Sequence, residues 1–234
     1  MTIRKPRKKP EPSDHPVTVC TAVIGGGVLH DPVVVAEGVR YVCFTDQELE
    51  SSVWETRRVE RWHHDPGRDS RRYKLRTFDH FRDADWVVWL DASMRLKSDV
   101  SWWHLERLCD ERFPASMYRH PGRDCIYEEA EEVLRLGRDH REVVAGQVRD
   151  YRAKGFPEHF GLVSAGFIIW NMSHARVEQL SRFWWREYEN GSRRDQMCFD
   201  YVRWLLKVEI DHVPGNIYQS PLFDFIVPNQ GGRS

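Results

Sequence analysis

At 234 residues, with 41% hydrophobic and 30% charged residues, the chain can build one substantial core and is neither fibrous nor disordered throughout. Its net charge of -1 conceals an asymmetry, because Arg4, Lys5, Arg7, Lys8 and Lys9 crowd the first turn of sequence and leave the remainder mildly acidic. Five cysteines, odd in number and without a Cys-x-x-Cys pair, exclude a disulfide framework or zinc knuckle and favour a reducing compartment.

Residues 1–15 mix Pro, Lys and Arg without periodicity and read as a disordered basic arm, open to nucleic acid, an anionic surface or solvent alone. Pro6, Pro10, Pro12 and Pro16 interrupt any secretory apolar core, and no apolar run reaches the ~20 residues of a membrane span. A cytoplasmic location is the expectation. A β-branched run over 17–24 predicts the first strand, stopped by Gly25, Gly26 and Gly27. Three glycines allow close approach of backbone to a ligand, but no Gly-x-Gly-x-x-Gly fingerprint opens a helix here. A second strand over 39–44 ends in Thr45 and Asp46, and a short third is expected within 53–59. His63, His64 and Asp65 precede Pro66 and Gly67, which reads as a solvent-exposed turn. A helix is expected from Asp69, capped by Asp69 or Ser70. Arg71, Arg72, Lys74 and Arg76 would then crowd its first turns against the macrodipole, a cost that a nearby anion would offset.

The stretch over 85–96 is the most informative. Trp86 to Leu90 form an apolar run of the kind buried on both sheet faces, and it ends in Asp91, Ala92 and Ser93. A carboxylate at the C-terminal end of such a strand sits where open α/β sheets bind ligands. Further on, a short helix is expected over 102–112 and a largely helical segment over 127–154, with Gly137 and Gly146 as candidate breaks. A loop follows over 155–162, then a buried strand over 167–170 closed by Asn171. A helix capped by Ser173 should run through Trp184 and Trp185 to Gly191. Another begins near Ser192, with Asp195 and Gln196 in its first turn. A last strand is expected over 208–212, ending in His212, before a tail anchored by Phe223 and Phe225. Strands alternating with helices predict one α/β domain over 16–228, with a mostly parallel central sheet flanked by helices and a flexible tail over 229–234.

Five motifs in this order carry a resemblance: residues 41–46, Arg72-x-Lys74-Leu75, Trp89-Leu90-Asp91-Ala92-Ser93, Ala165-Gly166-Phe167-x-x-Trp170-Asn171, and Arg194-Asp195-Gln196. Together they resemble the glycosyltransferase-like family of plant seed-mucilage and turgor-regulation proteins and their bacterial relatives, within the type-A (Rossmann-like) fold of nucleotide-sugar glycosyltransferases. The resemblance implies a UDP- or GDP-sugar donor and a hydroxyl acceptor on a glycan or related polar molecule. It implies that Thr45 and Asp46 contact the nucleoside, that Gly166 lets a sugar lie against the backbone with Asn171 close by, and that Asp195 and Gln196 flank the anomeric carbon, as in retaining enzymes. An inverting reaction would need a base, for which Glu158 or Asp195 are the candidates. Asp91 fills the first place of the family's metal-binding Asp-x-Asp, but Ser93 stands in the second, and a hydroxyl is a poor ligand for a hard cation. Either His212 completes a Mn or Mg site with Asp91, or Arg72 and Lys74 carry the neutralisation of the leaving diphosphate. Two alternatives stay open at this point. One is sugar transfer to a hydroxymethylated base of phage-type DNA, suggested by the basic arm and the abundance of Arg and Trp. The other is a non-catalytic nucleotide- or sugar-binding module.

Overall fold

The computed structural model describes residues 16–226; the expected basic arm over 1–15 and the tail over 229–234 lie outside the described residues. The chain folds around a seven-stranded sheet. Its first strand, β1 (Val17–Val23), is buried along its whole length and pairs in parallel with β2 (Val39–Thr45) on one side and β4 (Trp86–Leu90) on the other. The outer parallel strand is β3 (Glu55–Arg58). Beyond β4 the direction reverses. β7 (Val163–Asn171) runs antiparallel to β4 and to β6 (Ala115–Arg119), and the two-residue β8 (Asp211–His212) pairs in parallel with β6. The strand order is thus β3-β2-β1-β4-β7-β6-β8, a mixed but mostly parallel α/β sheet, as the alternation of elements predicts.

Each face of this sheet buries its own apolar layer, which is why β1, β4 and β7 read as near-continuous hydrophobic runs. One layer includes Trp89, Ile168, Trp170, Trp184 and Phe199 and lies under the helices; the other contains Trp86, Val88, Leu90, Phe167 and Ile169. A small two-stranded sheet of β5 (Met94–Leu96) and β9 (Phe223–Phe225) covers the second face, so the aromatic anchors expected near the C-terminus become strand residues.

Several elements differ from expectation, for identifiable reasons. The helix α1 (Pro66–Leu75) starts earlier than predicted because Asp65 is its cap, accepting from Gly67 N at 2.8 Å, with Pro66 at the first helical position. Asp69 is instead buried inside the turn, accepting from Trp62 N, His63 N and Arg61 Nε. With this start, Arg72 and Lys74 fall in the last turn, where cations favour the dipole, so the predicted electrostatic cost disappears. A single helical turn, α2 (Thr77–His80), follows. Only α3 (Trp102–Leu105) of the expected 102–112 helix forms. The 127–154 segment divides into α4 (Ile126–Arg135) and α5 (Arg141–Ala153), broken at Gly137, whose φ of 61° is left-handed, and not at Gly146. Ser173 does not cap α6 (Val177–Glu189); its hydroxyl donates to Asp85. The helix expected from Ser192 begins about four residues later, as α7 (Gln196–Leu206), with Asp195 as its N-cap and not within its first turn. Among the described residues no helix is long and apolar enough to cross a membrane.

Candidate functional site

The carboxyl ends of β1 and β4 flank the point where the chain leaves β1 for β2 on one side and β4 on the other. Such a switch point opens a crevice in an α/β sheet. A cleft of about 830 Å³ occupies it, walled by the Gly26–Gly27 turn, Pro66 and Arg71 of α1, and Asp91 and Ser93 after β4. The glycine turn is tethered by Gly25 N, which donates to both carboxylate oxygens of Asp46 at 3.0 and 3.1 Å. At Gly25, with φ of 76°, a Cβ would meet the Pro66 ring at 2.4 Å, so the turn packs directly on the start of α1. A second cleft of about 460 Å³ lies on the other side of Asp91 and Ser93, lined by Gly166, Glu129, Arg194, Gln196 and Tyr218. Asp91 and Ser93 border both clefts.

Asp91 is held at this seam by three contacts. Its backbone N donates to Gly166 O at 2.9 Å, and Trp89 Nε1 donates to Oδ1 at 2.7 Å. Lys74 Nζ approaches the same oxygen at 3.2 Å. Oδ2 faces Gly166, where a Cβ would come within 3.4 Å of it and 2.4 Å of Met94 Cε. Lys74, only 1% exposed, also reaches Asp195 Oδ2 at 2.5 Å, and Arg71 Nε lies 3.3 Å from that oxygen. Two carboxylates therefore interleave with two cations, which is how a buried charge cluster avoids an uncompensated ion. Burial alone would raise the Asp195 pKa, but Lys74 and Arg71 outweigh it and hold the carboxyl well below the ordinary range. Burial likewise works against the Arg71 charge, and Asp195 and Asp91 overcome it, so its pKa is raised.

The structure thus brings together Lys74, Asp91, Ser93, Gly166, Asp195 and Gln196. It separates the others. Arg72 points away and lies over the Trp62 ring, 5.9 Å from its centroid; its neighbour Arg71 supplies the cation instead. Thr45 is buried, its hydroxyl accepts from Gln47 N, and it borders a different pocket near Glu48 and Arg58. Asp46 acts on the cleft only through Gly25. Asn171 pairs with Trp86 at the far end of β4 and donates to Glu111 O; five residues of strand, roughly 17 Å, separate it from Asp91. His212 sits in the cross-sheet row Trp89–Ile168–Met117–His212, three strand spacings or about 14 Å from β4. Its ring is near Met117 O and burial lowers its pKa. It does not converge on Asp91. Glu158 pairs with Arg152 on an exposed loop.

Among the described residues no group of three or more His, Cys, Asp or Glu stands close enough to hold a metal. The donors at the seam are one carboxylate oxygen, Asp91 Oδ2, and the Ser93 hydroxyl. That set does not fit a protein-built cage; it fits a Mg or Mn ion that takes most of its shell from substrate phosphates and water.

Sequence reasoning named Arg71 only as one of four crowded cations, read Glu129 as part of a solvated helix face, and passed over Arg123; burial of Glu129 corrects the second of these. Glu129, 1% exposed, accepts from Arg123 Nε at 2.8 Å and from Gln196 Nε2. Arg123 lies in a loop and Glu129 on α4, and no periodicity links them to the 195–196 pair; the only signal was an acidic residue at an apolar position of α4.

No curated protein matches the chain. Among solved structures, the fold is similar to that titled "WbbM bifunctional glycosytransferase apo structure", with a TM-score of 0.51 and 14% identity over 83% of this chain. The match spans 38% of that longer chain, and at this identity it speaks to the fold alone. The family model described as "TOD1/MUCI70, glycosyltransferase-like domain" matches residues 29–227, which takes in the residues at the seam, the smaller cleft and the larger one apart from its 22–28 wall. The chain belongs to the TOD1/MUCI70 family of glycosyltransferase-like domains.

Proposed function

We propose that this protein transfers a sugar from a nucleotide-sugar donor to a hydroxyl of a glycan or related polar acceptor, with retention at the anomeric carbon. The observation that carries the reading is the meeting of two clefts at Asp91, over a buried Lys74–Asp195–Arg71 cluster. The larger cleft, at the strand ends and beside α1, suits the nucleoside diphosphate. Arg71, which lines it, would stabilise the charge that develops as the anomeric carbon–oxygen bond breaks. Asp195 is too buried to touch a sugar; it would hold Arg71 and Lys74 in place. The smaller cleft suits the transferred sugar and the acceptor.

Retention is favoured by the state of the carboxylates in the smaller cleft. Glu129 is engaged by Arg123 and Gln196, and Glu132 by Arg135. Neither is free to deprotonate an acceptor from the face opposite the leaving group, as inversion requires. The acceptor hydroxyl would then attack from the leaving-group face, its oxygen forming the new bond to the anomeric carbon while its proton passes to the departing phosphate oxygen. A divalent ion, Mn or Mg, would be held by Asp91 together with the donor's own phosphates and would add positive charge there.

Calorimetric titration with UDP and GDP, followed by turnover of the matching nucleotide sugars and NMR assignment of the product anomer, tests the reading. Binding without turnover of any nucleotide sugar would leave a non-catalytic binding module. An inverted product would refute retention. Unchanged affinity for duplex DNA on deleting residues 1–15 would remove the support that the basic arm lends to a nucleic-acid acceptor.

A further inference from the structure

Gln196 borders the smaller cleft from the first turn of α7, and its amide has two chemically opposite ends. The NH₂ can only donate and the carbonyl oxygen can only accept. In the structure Nε2 donates to Glu129 Oε1. Glu129 is buried and its other oxygen, Oε2, lies 2.8 Å from Arg123 Nε and 2.6 Å from Arg123 Nη2. An ionised carboxylate accepts hydrogen bonds and offers none, so it admits only the amide end of Gln196. The opposite orientation would set two acceptors against each other in a buried site, an unfavourable arrangement.

The geometry points to Glu129 as a positioning residue that fixes Gln196 with its carbonyl oxygen free, making position 196 a hydrogen-bond acceptor for a hydroxyl of the donor sugar. This inference rests on the glycosyltransferase reading and adds a polarity to it. Arg123 pairs with Glu129, Glu129 orients Gln196, and Gln196 reads a hydroxyl. The same chain of contacts ties the loop carrying Arg123 and the helix α4 to the start of α7. A sugar bearing a hydroxyl at the matching position is therefore favoured over its deoxy analogue, because a buried acceptor left unpaired is costly.

The test compares affinity for a nucleotide sugar with affinity for its nucleoside diphosphate, using UDP with UDP-glucose and GDP with GDP-mannose in calorimetric titrations. In E129Q the new side chain can accept from Arg123 through its oxygen and turn its NH₂ toward Gln196, so Gln196 flips and presents a donor to the cleft. The sugar's contribution to affinity should fall roughly tenfold, the scale of one hydrogen bond replaced by a mismatch, with diphosphate affinity unchanged. The exchange E129Q/Q196E restores an acceptor at 196 with the same total charge, and the ratio of nucleotide-sugar to diphosphate affinity should return to within about threefold of the parent. Thermal melting of each variant reports folding separately. A parent-like ratio in E129Q, an equal loss of diphosphate and sugar affinity, or failure of the exchange to restore the ratio would each overturn the inference while leaving the functional reading standing. A parent chain that binds neither diphosphate nor nucleotide sugar would refute that reading, and the inference with it.

Discussion

Lys74 shows how much one side chain decides here. It is an ammonium with almost no solvent access, between two carboxylates 3.2 and 2.5 Å away. Replacing it by Met preserves the volume but strips Asp91 and Asp195 of their shared cation. Breaking a buried pair in this way costs about 3–5 kcal/mol, so K74M should lower the urea midpoint strongly and leave the slope of the transition unchanged. Asp195 gives the matching pH signature. Its pKa is depressed in the folded state, so its contribution is fully present above the ordinary carboxylate value and is lost only as pH falls below about 4 toward the folded pKa. The stability gap between parent and D195N should therefore be constant near neutrality and close progressively in acid, followed by denaturation at stepped pH. Lys74, Asp91, Asp195 and Gly166 were all legible as candidates, because strand ends and a recurring motif order mark them. Arg71 was not. Arg71 and Arg72 are adjacent, and only the helix phase, set by the Asp65 cap, tells which one faces the cleft. The expected contrast is sharp: R71A should weaken UDP binding about tenfold or more, since a charge-assisted contact is lost, whereas R72A should stay within about twofold. Equal effects in calorimetry would remove Arg71 from the diphosphate site.

At the scale of the element, α1 and α2 link β3 to β4, and their packing carries a pH dependence of its own. His80, at the end of α2, packs against Phe44, Tyr73 and Phe81. Burial, assisted by Arg76, Arg72 and Arg57 and opposed by Asp79, lowers its pKa to about 4. The unfolded chain protonates this ring near pH 6.5 and the folded chain near 4, so the unfolded state binds more protons between those values. Stability should fall as pH drops from about 6.5 to about 4, and H80F should flatten that interval without altering the behaviour near neutrality. Urea titrations at pH 7, 5.5 and 4.5 read this directly. Elements differed in how openly the sequence announced them. β1, β4 and most of β7 stood out because burial on both faces enforces continuous apolar runs. β6 did not: Ala115, Ser116 and Arg119 dilute its pattern, and its place beside β7 comes from long-range pairing. β5 and β9 are too short for any period to show, and they form only by finding each other across the chain.

For the whole molecule, the reversal at β7 matters most. The parallel half, β3-β2-β1-β4 with α1, builds the larger cleft; the antiparallel half, β7 and β6 with α4 and the start of α7, builds the smaller one. Alternating strands and helices made the first half foreseeable. The second was obscured because antiparallel pairing leaves no mark distinct from parallel pairing in a buried strand; Asn171 and His212, which the resemblance placed at the donor and metal sites, lie far from Asp91 in space. The halves join where Asp91 N donates to Gly166 O, so a change at Gly166 should uncouple them. A Cβ there meets Met94 Cε at 2.4 Å and Asp91 Oδ2 at 3.4 Å. The Met94 terminus is flexible and can yield, so G166A should fold, with a stability loss of about 1–3 kcal/mol. The displaced thioether and the added methyl nonetheless occupy the seam where sugar must pass from one cleft to the other. Affinity for UDP, which rests on Arg71 and the ion at Asp91 and not on the Met94 side of the seam, should stay within about twofold, while transfer falls by roughly a hundredfold, the scale expected when reacting groups are misplaced by about an ångström. Chelation of divalent ions should behave differently, reducing UDP affinity and turnover together, because the ion's shell is completed by the diphosphate. A G166A variant that lost nucleotide binding and turnover in parallel would show that the two clefts are one site, and the division of labour proposed for them would fail.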